Sequence, residues 1–129
     1  MEDGRQERGE WGERFAARYL QREKGMRVLE RRWRQGHGEL DLVMRQGRVV
    51  VFVEVRVRSG AGAVMAPYHG IRRHKWRVLR RTAAGYLRQC GWRPAGVRFD
   101  VVGIRLLPGG VPDLVHWENV GAFGRNFRW

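Results

Sequence analysis

The sequence predicts one α/β domain in which helices flank a central sheet, with the element order α-β-β-β-α-β-β. Three observations carry this. Two segments of helical periodicity, about Arg5 to Lys24 and Ile71 to Gln89, bracket a run of short β-prone segments. The segment Val49-Val50-Val51-Phe52-Val53-Glu54-Val55 is β-branched almost throughout, as a strand covered on both faces is. At 129 residues, 43% of them hydrophobic, the chain can bury one core and leaves little room for a second domain.

In the first helix Trp11, Phe15, Ala16, Tyr19 and Leu20 fill one arc of the wheel, and Gly25 stops the helix as a C-cap glycine does. A short strand follows, from about Met26 to Glu30. Gly38 to Arg45 and Arg48 to Arg58 come next, joined by Gln46-Gly47, a pair suited to a two-residue hairpin turn. Ser59 to Gly70 reads as a loop. The second helix closes at Gly91. Strands Val97 to Leu106 and Leu114 to Trp117 flank a turn at Pro108-Gly109-Gly110, and the tail from Asn119 has no clear period.

Charge narrows the function classes. The formal net charge is +13, from 26 basic and 13 acidic side chains. A field of that sign draws in polyanions. Lys24 and Lys75 are the only lysines; the rest of the basic set is arginine, a skew that suggests a GC-rich genome but does not explain the excess of base over acid. Nucleic acid is therefore the expected partner, DNA before RNA, with an anionic membrane surface or acidic protein partner as the alternative. No stretch approaches the roughly 20 apolar residues of a membrane span, so no membrane partner is expected. The polar start Met1-Glu2-Asp3-Gly4-Arg5 resembles neither a secretory signal nor a transit peptide, and a cytoplasmic location is expected. Cys90, the single cysteine, excludes an internal disulfide and a cysteine-built zinc site. Self-association into a homodimer stays open.

The hairpin puts acids together. With Gln46-Gly47 as the turn, Arg45 pairs with Arg48, Val43 with Val50, Asp41 with Phe52 and Glu39 with Glu54. Asp41 and Glu54 then share a face as diagonal neighbours, about 7–8 Å apart, with Arg56 on the same face. Opposed like charges among Val, Phe and Leu are unfavourable, and a hard divalent cation held by oxygen ligands removes that cost. Magnesium or manganese held there could activate water against a phosphate. Ordinary ion pairs with the many arginines are the competing reading. Glu13, at the edge of the first helix's apolar arc, either joins the cluster or is a solvated rim residue.

Gly38-Glu39-Leu40-Asp41-Leu42-Val43 and Val51-Phe52-Val53-Glu54-Val55-Arg56-Val57-Arg58 resemble the core of the YraN-like family of uncharacterised bacterial proteins. Gly12-Glu13, Ala16-Ala17-Arg18-Tyr19-Leu20, Lys75-Trp76-Arg77-Val78-Leu79, Ala83-Ala84-Gly85-Tyr86-Leu87 and Arg98-Phe99-Asp100-Val101-Val102 extend the likeness. That family is similar to restriction-endonuclease-like nucleases and, more distantly, to archaeal Holliday junction resolvases. The resemblance implies a restriction-endonuclease-like core, α-β-β-β-α-β, with a mixed sheet. It also implies a metal-dependent endonuclease, with Glu13, Asp41 and Glu54 in the places of the metal-binding acids of the D…(D/E)-x-K motif. A nucleic-acid-binding module on a decayed nuclease fold is the alternative.

The motif lysine is here Arg56, which cannot lose a proton but can stabilise phosphate charge. Arg56 then acts through charge alone, or Lys75 on the second helix supplies the amine, or the site is inactive. Glu39 and Asp100 are candidates for a supporting shell; Asp100 could equally be the partner of Arg98. For nucleic-acid contact the candidates are Arg31, Arg32, Trp33 and Arg34, in which Trp33 could stack a base, together with Arg72 and Arg73. Trp11, Trp76 and Trp117 are expected in the core. The four histidines lack zinc spacing, and no phosphate-binding glycine loop is present.

Overall fold

The computed structural model describes residues 4–59, 71–124 and 127–129, with the side chains of the first helix from residue 7. The elements are α1 (Gly4–Lys24), β1 (Arg27–Gln35), β2 (Gly38–Gln46), β3 (Val49–Ser59), α2 (Arg73–Gln89), β4 (Gly96–Leu106) and β5 (Asp113–Trp117). Their order and types are those expected from the sequence. The loop expected after Ser59 lies outside the described residues.

The strands form one sheet in the order β1-β2-β3-β4-β5. Neighbours pair antiparallel except β3 and β4, which run parallel because α2 carries the chain back between them. The sheet is therefore mixed. α1 covers one face, over Leu42, Met44, Val51, Val53, Val102 and Ile104. α2 covers the other, over Leu40, Val43, Val50, Phe52, Phe99 and Val101. Burying each such side chain contributes about 1.5–3 kcal/mol, so the unbroken apolar run of β3 is what two covered faces demand.

Three expectations need correction. β1 runs to Gln35 instead of ending near Glu30. The arginine-rich run hid it, but an edge strand needs only one partner, and Arg31 and Arg34 point to solvent. The β2–β3 turn is Gly47-Arg48, not Gln46-Gly47, since Gln46 pairs with Val49 and Leu42 with Val53. Gly47 takes φ +60°, as the first central residue of a type II′ turn does. Third, α1 does not bury its aromatic row. Gly12, Ala16, Ala17 and Leu20 meet the sheet, while Trp11 is 38% exposed and Phe15 and Tyr19 lie at the rim. Small residues let the helix sit close: a Cβ on Gly12 would stand 2.5 Å from Val57 Cγ2.

One irregularity positions the site. Leu40 and Leu42 are two residues apart on β2, yet Leu40 packs into the α2 core and Leu42 into the α1 core. Between the pairs Trp33–Leu40 and Arg31–Leu42 stand Arg32 and Asp41. Arg32 has φ +49°, a left-handed conformation that costs a non-glycine residue about 1–3 kcal/mol unless its surroundings hold it. The alternation of faces slips there.

Candidate active site

The β2–β3 ladder ends at Leu42–Val53, so Asp41 and Glu54 come next, opposite each other. Glu54 has Asp41 and not Glu39 as its cross-strand neighbour, a consequence of the shifted turn. Instead of continuing the ladder, Asp41 turns its side chain inward, and its Oδ2 accepts the backbone N–H of Val55 at 2.9 Å. Burial pushes the Asp41 carboxyl well above the usual carboxylate range. The Glu54 charge and a hydrogen bond between the two carboxyls push it further, while the Val55 N–H pulls the other way. Glu54 is buried, and Lys75 Nζ, in the first turn of α2, lies 2.5 Å from its Oε2.

Glu13 is also buried, and its charge reaches Asp41. Burial raises its pKa against the opposing bond from Arg32, whose Nε lies 2.6 Å from Glu13 Oε1. Arg32 reaches Glu10 as well, at 3.3 Å. The strained residue of β1 is thus clamped by two acids of α1. Arg56 follows on β3, half-buried, its pKa lowered first by burial and then by Arg58, with Glu54 opposing.

The donor set can be tested against a divalent cation. A carboxyl pushed towards its neutral form by burial and by the charge of a facing glutamate suits a hard cation, which would let Asp41 stay charged. Among the described residues no three of His, Cys, Asp and Glu gather as a metal-holding group. Asp41 and Glu54 form a pair, and Glu13 is engaged by Arg32.

Other candidates fall elsewhere. Glu39 pairs with Arg34 on β1, at 3.1 Å. Asp100 lies on the opposite face of the sheet from Glu54, because Val53 is its strand partner and Glu54 pairs with Val101. It is no supporting residue of the acid pair. Fully buried, it is bound by Arg98 at 3.0 and 3.1 Å, His116 Nε2 at 2.8 Å and the Asn119 N–H at 2.9 Å. Burial acts to raise its pKa, but these bonds outweigh it and hold the carboxyl below the usual range.

Trp33 is in a strand, not a loop, with its ring edge-to-face on Tyr86 at 5.4 Å. That contact and its place against the α2 core give it a packing role in the fold. Arg72 and Arg73 are exposed at the start of α2, just before Lys75. The role of Arg32 as a clamp on Glu13 was not legible. A positive φ at a non-glycine residue leaves no mark in sequence.

Fold and site together define a mixed-sheet α/β domain with an acid pair, Glu54 buried and Asp41 half-buried, where its second and third strands part. The chain belongs to the uncharacterised protein family UPF0102, whose sequence model matches residues 12–104. It is 42% identical to a UPF0102 protein of Rhodococcus jostii (strain RHA1) over 108 residues, 84% of this chain and 90% of the relative. A UPF0102 protein of Beutenbergia cavernae is 42% identical over 113 residues, covering 88% and 94% of the two chains. One from Mycobacterium tuberculosis (strain ATCC 25177 / H37Ra) is 41% identical over 118 residues, covering 88% and 91%. No helix among the described residues is long and apolar enough to cross a membrane.

Proposed function

We propose that the chain is a metal-dependent nuclease that hydrolyses phosphodiester bonds in DNA, with Asp41 and Glu54 holding the metal. The Asp41–Glu54 pair, set opposite each other where the β2–β3 ladder ends, with Lys75 on Glu54, carries this reading. A half-buried aspartate set against a buried glutamate is an unfavourable arrangement for stability alone. Held by these two carboxyls, magnesium or manganese supplies Lewis acidity towards a phosphate and an acidified water.

The chain's own residues do the rest. Asp41 would have to be ionised to hold the cation, so metal affinity would rise with pH. Lys75 orients Glu54 and has further ammonium donors for a phosphate oxygen or the attacking water. The Arg56 guanidinium stabilises developing phosphate charge and moves no proton. The net charge of +13 speeds encounter with a polyanion.

Arg56 in the lysine position favours a second reading, a module that grips DNA without cutting it. The two are separated by incubating the protein with branched, single-stranded and duplex DNA, with manganese or with chelator. Manganese-dependent cleavage of any one substrate is expected. Cleavage undiminished by chelator contradicts the metal role. Cleavage that appears only in Arg56→Lys establishes the second reading.

A further inference from the structure

The outer side of α1 carries two parallel rows that the acid site does not use. Trp11, Phe15 and Tyr19 recur every four residues, and Arg14, Arg18 and Arg22 repeat the spacing three residues on. Each aromatic ring therefore has an arginine one turn away on the same side. With Leu114 of β5 the rows line an open groove of about 530 Å³, and Glu23 is the one acid among its described lining residues. The three arginines are exposed, and no ion pair among the described residues occupies them. Trp11 and Phe15 lie 5.1 Å apart at a 33° tilt, and Trp11 remains 38% exposed. Tyr19 sets its ring edge-to-face against His116, at 6.0 Å.

We propose that this groove binds single-stranded nucleic acid, its aromatic row stacking unpaired bases and its arginine row following the phosphates. Alternating flat rings and cations is how sequence-tolerant single-strand sites work. Spacing selects the unpaired form. Successive ring–arginine pairs are about 6 Å apart along the helix, whereas a duplex strand advances only about 3.4 Å per nucleotide. Bases must leave the stack to meet successive rings. Concavity argues against a membrane surface, which takes a helix whose apolar side protrudes. An acidic peptide would meet the arginines but leave the rings without flat partners. The proposal stands apart from cleavage, since α1 turns Glu10 and Glu13 towards β1 and these rows towards β5.

The test uses the full chain with a fluorescent oligothymidylate in chelator, so that nothing is cut. Trp11→Ala should weaken binding by about 5- to 100-fold, the range for losing one stacked base. Trp11 packs on Phe15, so affinities are compared at a temperature where circular dichroism shows both proteins folded. Arg14→Gln and Arg18→Gln should each lower the salt slope by about 0.7 and weaken binding more than Arg88→Gln, an exposed control on α2. Unlabelled duplex should compete poorly, and anionic phosphatidylserine vesicles should leave tryptophan emission unmoved. Unchanged affinity in Trp11→Ala, equal losses in Arg14→Gln and Arg88→Gln, tighter binding to duplex, or a vesicle response in place of the oligonucleotide would each overturn it. Failure of cleavage leaves these readings unaffected, and the reverse also holds.

Discussion

Asp41 and Val55 are joined by a bond that replaces a rung of the sheet. Oδ2 of Asp41 accepts the Val55 N–H at 2.9 Å, just beyond the last ladder pair of β2 and β3. The strand opening and the acid pair are therefore one feature, and the acid is held by backbone.

Asp41→Asn is expected to stabilise the metal-free protein at neutral pH by about 1 kcal/mol, roughly 4 °C in Tm. The amide oxygen can still accept the Val55 N–H, while the charge that burial and Glu54 disfavour is gone. A carboxyl raised on folding carries no penalty while protonated in both states; the penalty sets in as pH climbs from about 4. The gain should therefore vanish below pH ~4. Manganese should raise the parent's Tm and leave the variant's unchanged. Thermal melts at several pH values, with and without manganese, decide this; a variant that melts lower than its parent at neutral pH contradicts it.

Lys75 bears on catalysis more than on stability, because its ammonium is half exposed and solvent screens the pair. Lys75→Ala should cost about 1 kcal/mol or less in stability and lower cleavage by about 10²–10³-fold. Lys75→Arg should be nearly as damaging, since the larger planar guanidinium cannot reproduce the compact ammonium against the buried Glu54 carboxylate. Full activity in Lys75→Arg would reduce Lys75 to a charge.

Asp100 belongs to stability alone. Its depressed carboxyl contributes stability that is complete above the ordinary aspartate pKa, about 3.9, and is lost as pH falls through the lower folded value. Asp100→Asn should remove that acid-side loss and cost about 3–5 kcal/mol at neutral pH, because Arg98 is left half-buried without its carboxylate. Cleavage by the fraction still folded should match the parent, as Asp100 is on the other face of the sheet. A selective loss of cleavage in folded Asp100→Asn would refute the assignment.

Gly12 sets how closely α1 approaches β3. Gly12→Ala should cost about 1–3 kcal/mol through its clash with Val57 Cγ2, and Val57→Ala should restore part of it. Additive losses in a denaturant-melt double-mutant cycle would show that the two sites do not touch.

The element order was legible because β3 is apolar on both faces, α2 carries a strong period and Gly25 marks the end of α1. The nearness of Asp41 and Glu54 was legible because side-chain alternation survives a two-residue register shift, so a misplaced turn kept them together. The neighbour of Glu54 was misread because moving the turn to Gly47-Arg48 exchanges Glu39 for Asp41. Asp100 took the second of its two readings, as the partner of Arg98; its face depends on parallel pairing with β3, which no local pattern specifies. Trp11 was assigned to the core because a wheel ranks residues by hydrophobicity, whereas this interface selects for small ones. The slip at Arg32 needs tertiary partners, Glu10 and Glu13, that lie a helix away.

Side-by-side cleavage of branched, single-stranded and duplex DNA in manganese by the parent, Asp41→Asn and Glu54→Gln tests the nuclease reading most directly. The parent should cut at least one substrate and lose that activity in chelator. Each variant, folded by circular dichroism, should fall by at least about 10²-fold. No cleavage by the parent on any substrate, or cleavage retained by both folded variants, would contradict it.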